Sequence, residues 1–362
     1  MKSLLQKKST RNNLITYGAV IVFYAVFQTL ATTGSLKSLY KGLLVPICAY
    51  VILAVSLNLT VGILGELSLG HAGFMCIGAY SSVIFSLATH ETIKSDFLRF
   101  LLALIIGGVC AAIFGIIIGV PILRLSGDYL AIVTLAFGEI IKNICNVLYI
   151  GYDSNGFQVG IKDSSVQLAE DGKMILKGAM GASDIPKDST FTIGIILVLI
   201  TLFVVFNFVD SRAGRAVMSI RDNRIAAQST GINITKYKLL AFTISSFFAG
   251  IAGTLYAHNY SILTTKKYDY NTSIAILVFV VLGGMGNIRG SIIAALILTV
   301  LPEILRGFSE YRMLIYSVVL IAMMIYNSSP KLQGIKEKYS IKRILDAKKR
   351  AKALGENEKE AE

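Results

Sequence analysis

The residues best equipped for chemistry cluster in three stretches. The first is Asn58-Leu59-Thr60-Val61-Gly62-Ile63-Leu64-Gly65-Glu66-Leu67-Ser68-Leu69-Gly70-His71-Ala72-Gly73, set between two apolar runs. It supplies an amide (Asn58), a carboxylate (Glu66), a hydroxyl (Ser68) and an imidazole (His71), with Gly62, Gly65 and Gly70 among them. Such groups can hydrogen-bond a small polar solute, and glycine permits tight turns and close backbone approach. At membrane depth, broken backbone persists only inside protein or beside a water-filled cavity. Two readings stand: a pore-lining break between helices, or an ordinary turn with Ser68 capping the next helix. His71 alone fits a structural hydrogen bond better than a catalytic role.

The second stretch is Gly127-Asp128-Tyr129-Leu130, followed by Thr134-Leu135-Ala136-Phe137-Gly138-Glu139. Asp128 suits a helix start, where a carboxylate complements exposed N–H groups. Glu139 lies inside an apolar run. An ionisable group there is costly and faces a bundle interior or cavity, unless a neighbour such as Lys142 neutralises it near the boundary. The third stretch, residues 212–231, contains Arg215, Arg221, Ala226, Ala227 and Gly231. Residues 225–231 predict a short helix ended by glycine. Its small residues admit a close neighbour, and its arginines can pair with acidic groups. This predicts either a docking surface or a basic anchor on anionic lipid.

Enzyme chemistry finds little material. No Walker A sequence, nucleophile elbow or H-E-x-x-H motif occurs, and there are three histidines in the whole chain. Cys48, Cys76, Cys110 and Cys145 lie in or beside apolar runs without metal-ligand spacing, so they read as buried helix residues. The run Leu282-Gly283-Gly284-Met285-Gly286-Asn287-Ile288-Arg289-Gly290 has the wrong glycine spacing for a dinucleotide loop. It reads as a tight connection. The chain is therefore expected to be no enzyme, with no cofactor or metal of its own.

The elements that must position these stretches are membrane helices. Of the 362 residues, 54% are hydrophobic and only 16% charged, against roughly 25% charged in soluble domains. A spanning helix needs about 20 apolar residues. Segments of that kind lie near 14–31, 42–60, 71–89, 98–123, 128–150, 191–209, 237–257, 271–286, 290–305 and 311–326. The fold is expected to be all-α, with nine or ten transmembrane helices. The segment at 271–286 is short and glycine-rich, as a re-entrant or broken helix would be. Ala111, Gly115 and Gly119 recur at four-residue spacing, which predicts close helix packing.

Charge sets the orientation. The net charge of +13 would suggest nucleic acid in a soluble protein. Here the basic residues sit between apolar runs and in the tails, as the positive-inside rule requires, so no nucleic-acid partner is expected. The tail at 1–13 carries Lys2, Lys7, Lys8 and Arg11, and the first apolar run lacks a cleavage site and reads as a retained helix. With ten segments, that tail, the segment at 210–236 and the charged tail at 331–362 fall on one side, and both termini are predicted cytoplasmic. The membrane-embedded body then covers 14–330. The loop at 151–190, with Asp153, Asp163, Glu170, Asp171, Asp184 and Asp188, falls on the outer side.

These stretches, with Val281-Leu282-Gly283-Gly284-Met285-Gly286, resemble the membrane permease subunits of branched-chain amino-acid ABC importers of the LivM type over residues 40–335. The resemblance implies the ABC importer permease fold and a multi-pass place in the plasma membrane. It also implies a second, related permease chain in a heterodimer, two cytoplasmic ATPases that use the ATP, and an extracytoplasmic solute-binding protein. Each permease forms half of the pathway, for Leu, Ile and Val or for related small polar solutes. Ala226, Ala227 and Gly231 match the coupling motif, although Ile225 stands where that motif has glutamate. Arg215 and Arg221 belong to the same segment. Asn58, Gly62, Gly65, Glu66, Ser68, Gly70, His71 and Glu139 are the candidate pathway residues. The alternative is a stand-alone secondary transporter that uses Glu66 and Glu139 for ion coupling.

Overall fold

The computed structural model describes residues 2–33, 38–123, 125, 127–153, 156–162, 166, 172–305, and 311, 314, 315, 317, 318, 320, 321 and 325. The tail at 331–362 and half of the apolar segment at 311–326 lie outside the described residues. The chain divides into two units, Met1–Val300 and Leu301–Glu362. The first unit holds the helix bundle and a small sheet.

Helices α1 (Lys2–Thr32), α2 (Ser38–Asn58), α3 (His71–Ala88), α4 (Asp96–Ile122) and α5 (Asp128–Val147) come first. The sheet is next, made of β1 (Tyr149–Asp153), β2 (Gly156–Gly160) and β3 (Lys173–Lys177). Then come α6 (Phe191–Asp210), the short pair α7 (Arg212–Asp222) and α8 (Arg224–Ser229), α9 (Ile234–Ala257), α10 (Tyr270–Gly283) and α11 (Ile288–Ile304). An apolar helix satisfies every backbone group within itself, which is what lipid demands. Seven spans among the described residues are long and apolar enough to cross a membrane, from Asn13–Thr32 to Ile234–Ala257.

Of the other three expected segments, 311–326 lies half outside the described residues, and the two at 271–286 and 290–305 form helices that fall short in length. Helix α10 has 14 residues and α11 has 17. At 1.5 Å per residue they span roughly 21 and 26 Å, short of the ~30 Å hydrocarbon core. Helix α10 stops because Gly284 takes a positive φ of 91° and Gly286 one of 80°. A second difference is the sheet, where an all-α chain was expected. Its strands are antiparallel in the order β2-β1-β3. Alternation in Gly156-Phe157-Gln158-Val159-Gly160 suits a strand, and β2 leaves Phe157 and Val159 exposed.

The core forms around α9, which packs on α2, α3 and α4. Lipid offers no hydrophobic drive between helices, so close contact through small residues does the work. Ala111, Gly115 and Gly119 are buried on α4. A β-carbon on Gly250 would lie 2.5 Å from the Ala111 Cβ, and one on Gly119 would lie 2.8 Å from a Leu239 methyl. The opposite face of α4 exposes Phe97, Ile105, Ile113 and Ile117, as a lipid-facing side would. At the sheet end, buried Arg99 bonds Asp96 at 2.8 Å and Asp188 at 3.1 Å. Burial pushes the Asp188 carboxyl above its ordinary value, with Arg99 opposing that shift.

Candidate functional site

The helical path does not stop where α2 ends at Asn58. It runs into a π-helical turn, Leu59–Leu64, in which every residue is buried. Such turns are rare and frequent at functional sites. Gly65 closes the turn with φ 79° and donates its N–H to the Thr60 carbonyl, which also accepts from the Glu66 N–H at 3.1 Å. Residues 65–70 are non-helical and return into the bundle, so that His71 comes level with Ser56, fifteen positions earlier. The His71 Nε2 and Ser56 Oγ are 2.8 Å apart.

The returning stretch is enclosed by protein. The Leu69 N–H donates to Thr134 Oγ1 on α5 at 3.0 Å, and the Ala72 N–H donates to Ser273 Oγ on α10 at 3.0 Å. Gly73 lies so close to α5 that an added β-carbon would approach the Gly138 Cα to 2.8 Å. Ser68 does not cap α3: Gly70 holds the capping position, and Ser68 Oγ is buried without a partner among the described residues. That departs from the capping expected of Ser68 in the ordinary-turn reading. The reason is geometric, since the stretch stays non-helical through Gly70 and α3 starts only at His71, three positions past Ser68.

Asn58 is fully buried and ties the break to the α10–α11 turn. Its Nδ2 donates to Ser291 Oγ at 2.8 Å, and its Oδ1 accepts from the Gly286 N–H at 2.8 Å. Gly62 packs against both Asn58 and Gly286. Glu66 forms an ion pair with Lys238 on α9, with side-chain exposures of 13% and 3%, so each carries the other's charge in a mostly dry place. Lys238 was not singled out from the sequence. A lysine opening an apolar run there reads as an ordinary positive-inside residue, and only the fold brings it to Glu66.

Glu139 sits apart from this cluster. Its Oε2 accepts from Lys142 Nζ at 2.6 Å and its Oε1 from the Tyr270 N–H at 2.9 Å. The first contact is the neighbour pairing that spacing suggested. The second shows that α10 begins beside the middle of α5, so the chain ahead of Tyr270 enters the bundle. Among the candidate pathway residues, Asn58, Gly62, Gly65 and Glu66 share one cluster. Gly70 and His71 adjoin it, and Glu139 stands one helix away.

The α7–α8 segment lies at the end of the bundle opposite the sheet. Ser211 caps α7 through the Gly214 N–H, and Asn223 caps α8 through the Ala226 N–H at 3.0 Å. Gly231 ends α8 with φ 84° and open space around it. Arg215 holds the Asp210 carbonyl of α6 at 2.8 Å. Ala227 is buried, whereas Ala226 is exposed and Ile225 is 82% exposed. Arg221 turns toward the break: its Nη1 donates to the Gly62 carbonyl at 3.1 Å, and its Nε and Nη2 reach Asp222.

Residues 39–326 match the family described as branched-chain amino acid transport system / permease component. The chain belongs to that family. Over 287 residues it is 38% identical to the high-affinity branched-chain amino acid transport system permease protein LivM of Salmonella typhimurium and to that of Escherichia coli. Each alignment takes in 76% of this chain and 66% of the relative, so the chain spans just under two thirds of their length. It is 21% identical over 285 residues to the nucleoside ABC transporter permease protein NupC of Lactococcus lactis, covering 75% of this chain and 87% of the relative. No solved structure matches. The permease is thus a multi-pass membrane protein of a transport family.

Proposed function

We propose that this permease forms half of the translocation pathway of an ABC importer for branched-chain amino acids, in the plasma membrane with both termini cytoplasmic. A second, related permease chain supplies the other half. ATP is bound and hydrolysed by two separate ATPase subunits, and an extracytoplasmic binding protein delivers the solute. The chain itself carries no ATPase site and catalyses no covalent step. Relatedness to proteins named for branched-chain amino acids supports the substrate class.

The observation that carries the docking role is α8. It projects an isoleucine, Ile225, that is 82% exposed, on a segment that also carries Arg212, Arg215 and Arg224. An apolar knob on an arginine-rich segment fits an apolar cleft with an acidic rim. At the other end, the exposed Phe157 and Val159 of β2 and Ile161 just beyond it suit a contact for the binding protein. The body at 14–330, with its loops at 151–190 and 210–236, is then one transport unit between charged tails.

Asn58, Gly62, Gly65, Glu66, Ser68, Gly70 and His71 stand in this reading as the wall where the pathway meets the ATPase side. The ion-coupling alternative asks Glu66 and Glu139 to exchange an ion or proton. Both are already matched by lysines, Lys238 and Lys142, which favours the ATP-driven reading. The test is co-purification with the ATPases followed by reconstitution. Uptake that needs both ATPases and ATP supports the proposal. Uptake by the permease chains alone, driven by an ion gradient, refutes it.

A further inference from the structure

Two cations flank α8 in sequence, and both grip the break in α2. On the α7 side, Arg221 donates to the Gly62 carbonyl inside the π-helical turn at 3.1 Å. Its stem lies flat over Gly65: a β-carbon there would come 2.6 Å from the Arg221 Cγ. Asp222 accepts two further hydrogen bonds from the same guanidinium, at 3.0 and 2.9 Å, which fixes its plane. On the α9 side, Lys238 pairs with Glu66, the residue after Gly65. Lys238 lies in the first two turns of α9, and only residues 230–233 separate that helix from α8.

We propose that Arg221 and Lys238 are positioning residues that latch α8 to the break, so that displacement of α8 moves residues 59–66 and the α10–α11 turn together. This rests on the reading that α8 receives the ATPases. The chain of contacts is continuous. Arg221 holds Gly62, Gly62 packs on Gly286, and Asn58 bonds both Gly286 and Ser291 at 2.8 Å. A π-helical turn closes one residue later than an α-helical turn, so a one-residue shift in hydrogen bonding would carry residues 59–64 to the α-helical arrangement. Coupling between distant sites needs such an element with two discrete states. Arginine suits the first anchor because its planar fork serves Gly62 and Asp222 at once, which lysine does not. The buried pair suits the second, because separating it leaves charge uncompensated.

The experiment uses the whole complex in proteoliposomes, isolated through a tag on an ATPase subunit so that every preparation contains docked ATPases. Leucine taken up per ATP hydrolysed is compared for the unaltered permease, Arg221→Met, Arg221→Lys and the double variant Glu66→Gln with Lys238→Met. The double variant removes both charges together and so avoids stranding one. The latch predicts that uptake per ATP falls about tenfold in Arg221→Met and in the double variant, in line with the loss of a charged hydrogen bond, with Arg221→Lys between them and the unaltered protein. An unchanged ratio in either Arg221→Met or the double variant overturns it. Failure to recover ATPases with Arg221→Met also overturns it, because Arg221 is then a docking contact. Failure to recover ATPases with the unaltered chain defeats the docking reading itself, a separate outcome.

Discussion

Lys238→Met is expected to destabilise the bundle strongly. Lys238 is 3% exposed and Glu66 is 13% exposed in their ion pair, so removing the lysine leaves a carboxylate with little water and no counter-charge. Breaking a buried pair from one side costs about 3–5 kcal/mol. Glu66→Gln strands the ammonium and is expected to cost a similar amount. Removing both charges avoids that penalty, because replacing a buried pair with uncharged groups of similar volume is often close to neutral. The double variant should therefore lose roughly 1 kcal/mol or less, leaving a coupling energy of several kcal/mol. Equilibrium unfolding in mixed micelles, with detergent composition as the denaturant, measures all three variants. If the two single costs are small, or simply add in the double variant, the ion pair does not hold the break and the latch loses its second anchor.

Asn58→Ala should cost about 1–2 kcal/mol in the same assay, because it removes the acceptor of the Gly286 N–H and the donor to the buried Ser291 hydroxyl. Gly250→Val forces a branched side chain against Ala111 and Gly107, and should cost about 1–3 kcal/mol or abolish insertion, read as the yield of detergent-stable protein. Ile225→Glu should leave thermal stability within about 0.5 kcal/mol, since Ile225 is 82% exposed, yet sharply reduce the ATPase recovered with the permease. Gly231→Leu strains a left-handed turn by roughly 1–2 kcal/mol, and should weaken ATPase recovery while membrane insertion persists.

Much of this was legible in the sequence because lipid imposes simple rules. Apolar runs located the helices, and four-residue spacing found Ala111, Gly115 and Gly119 on a packed face. Glu139 with Lys142 could be read from an i,i+3 interval, and glycine with hydroxyls announced that something breaks between Asn58 and Gly73. What stayed hidden was every partner from far away. Lys238 is 172 positions from Glu66, and Ser291 is 233 from Asn58, and no local pattern encodes either. The sheet was missed because the charges of 151–190 speak only to its side of the membrane, although the alternation of Phe157 and Val159 was present. The lengths of α10 and α11 depended on the positive φ of Gly284 and Gly286, residues that a hydropathy window simply averages.

The central claim is that this permease works as the membrane half of an ATP-driven importer. Its most direct test is labelled leucine uptake into proteoliposomes containing the permease chains and binding protein, with and without the ATPases, in the absence of any ion gradient. Concentrative uptake is expected only when both ATPases and ATP are present, and none from the permease chains alone. Uptake that proceeds without the ATPases, or that follows an imposed proton or sodium gradient, would contradict the claim.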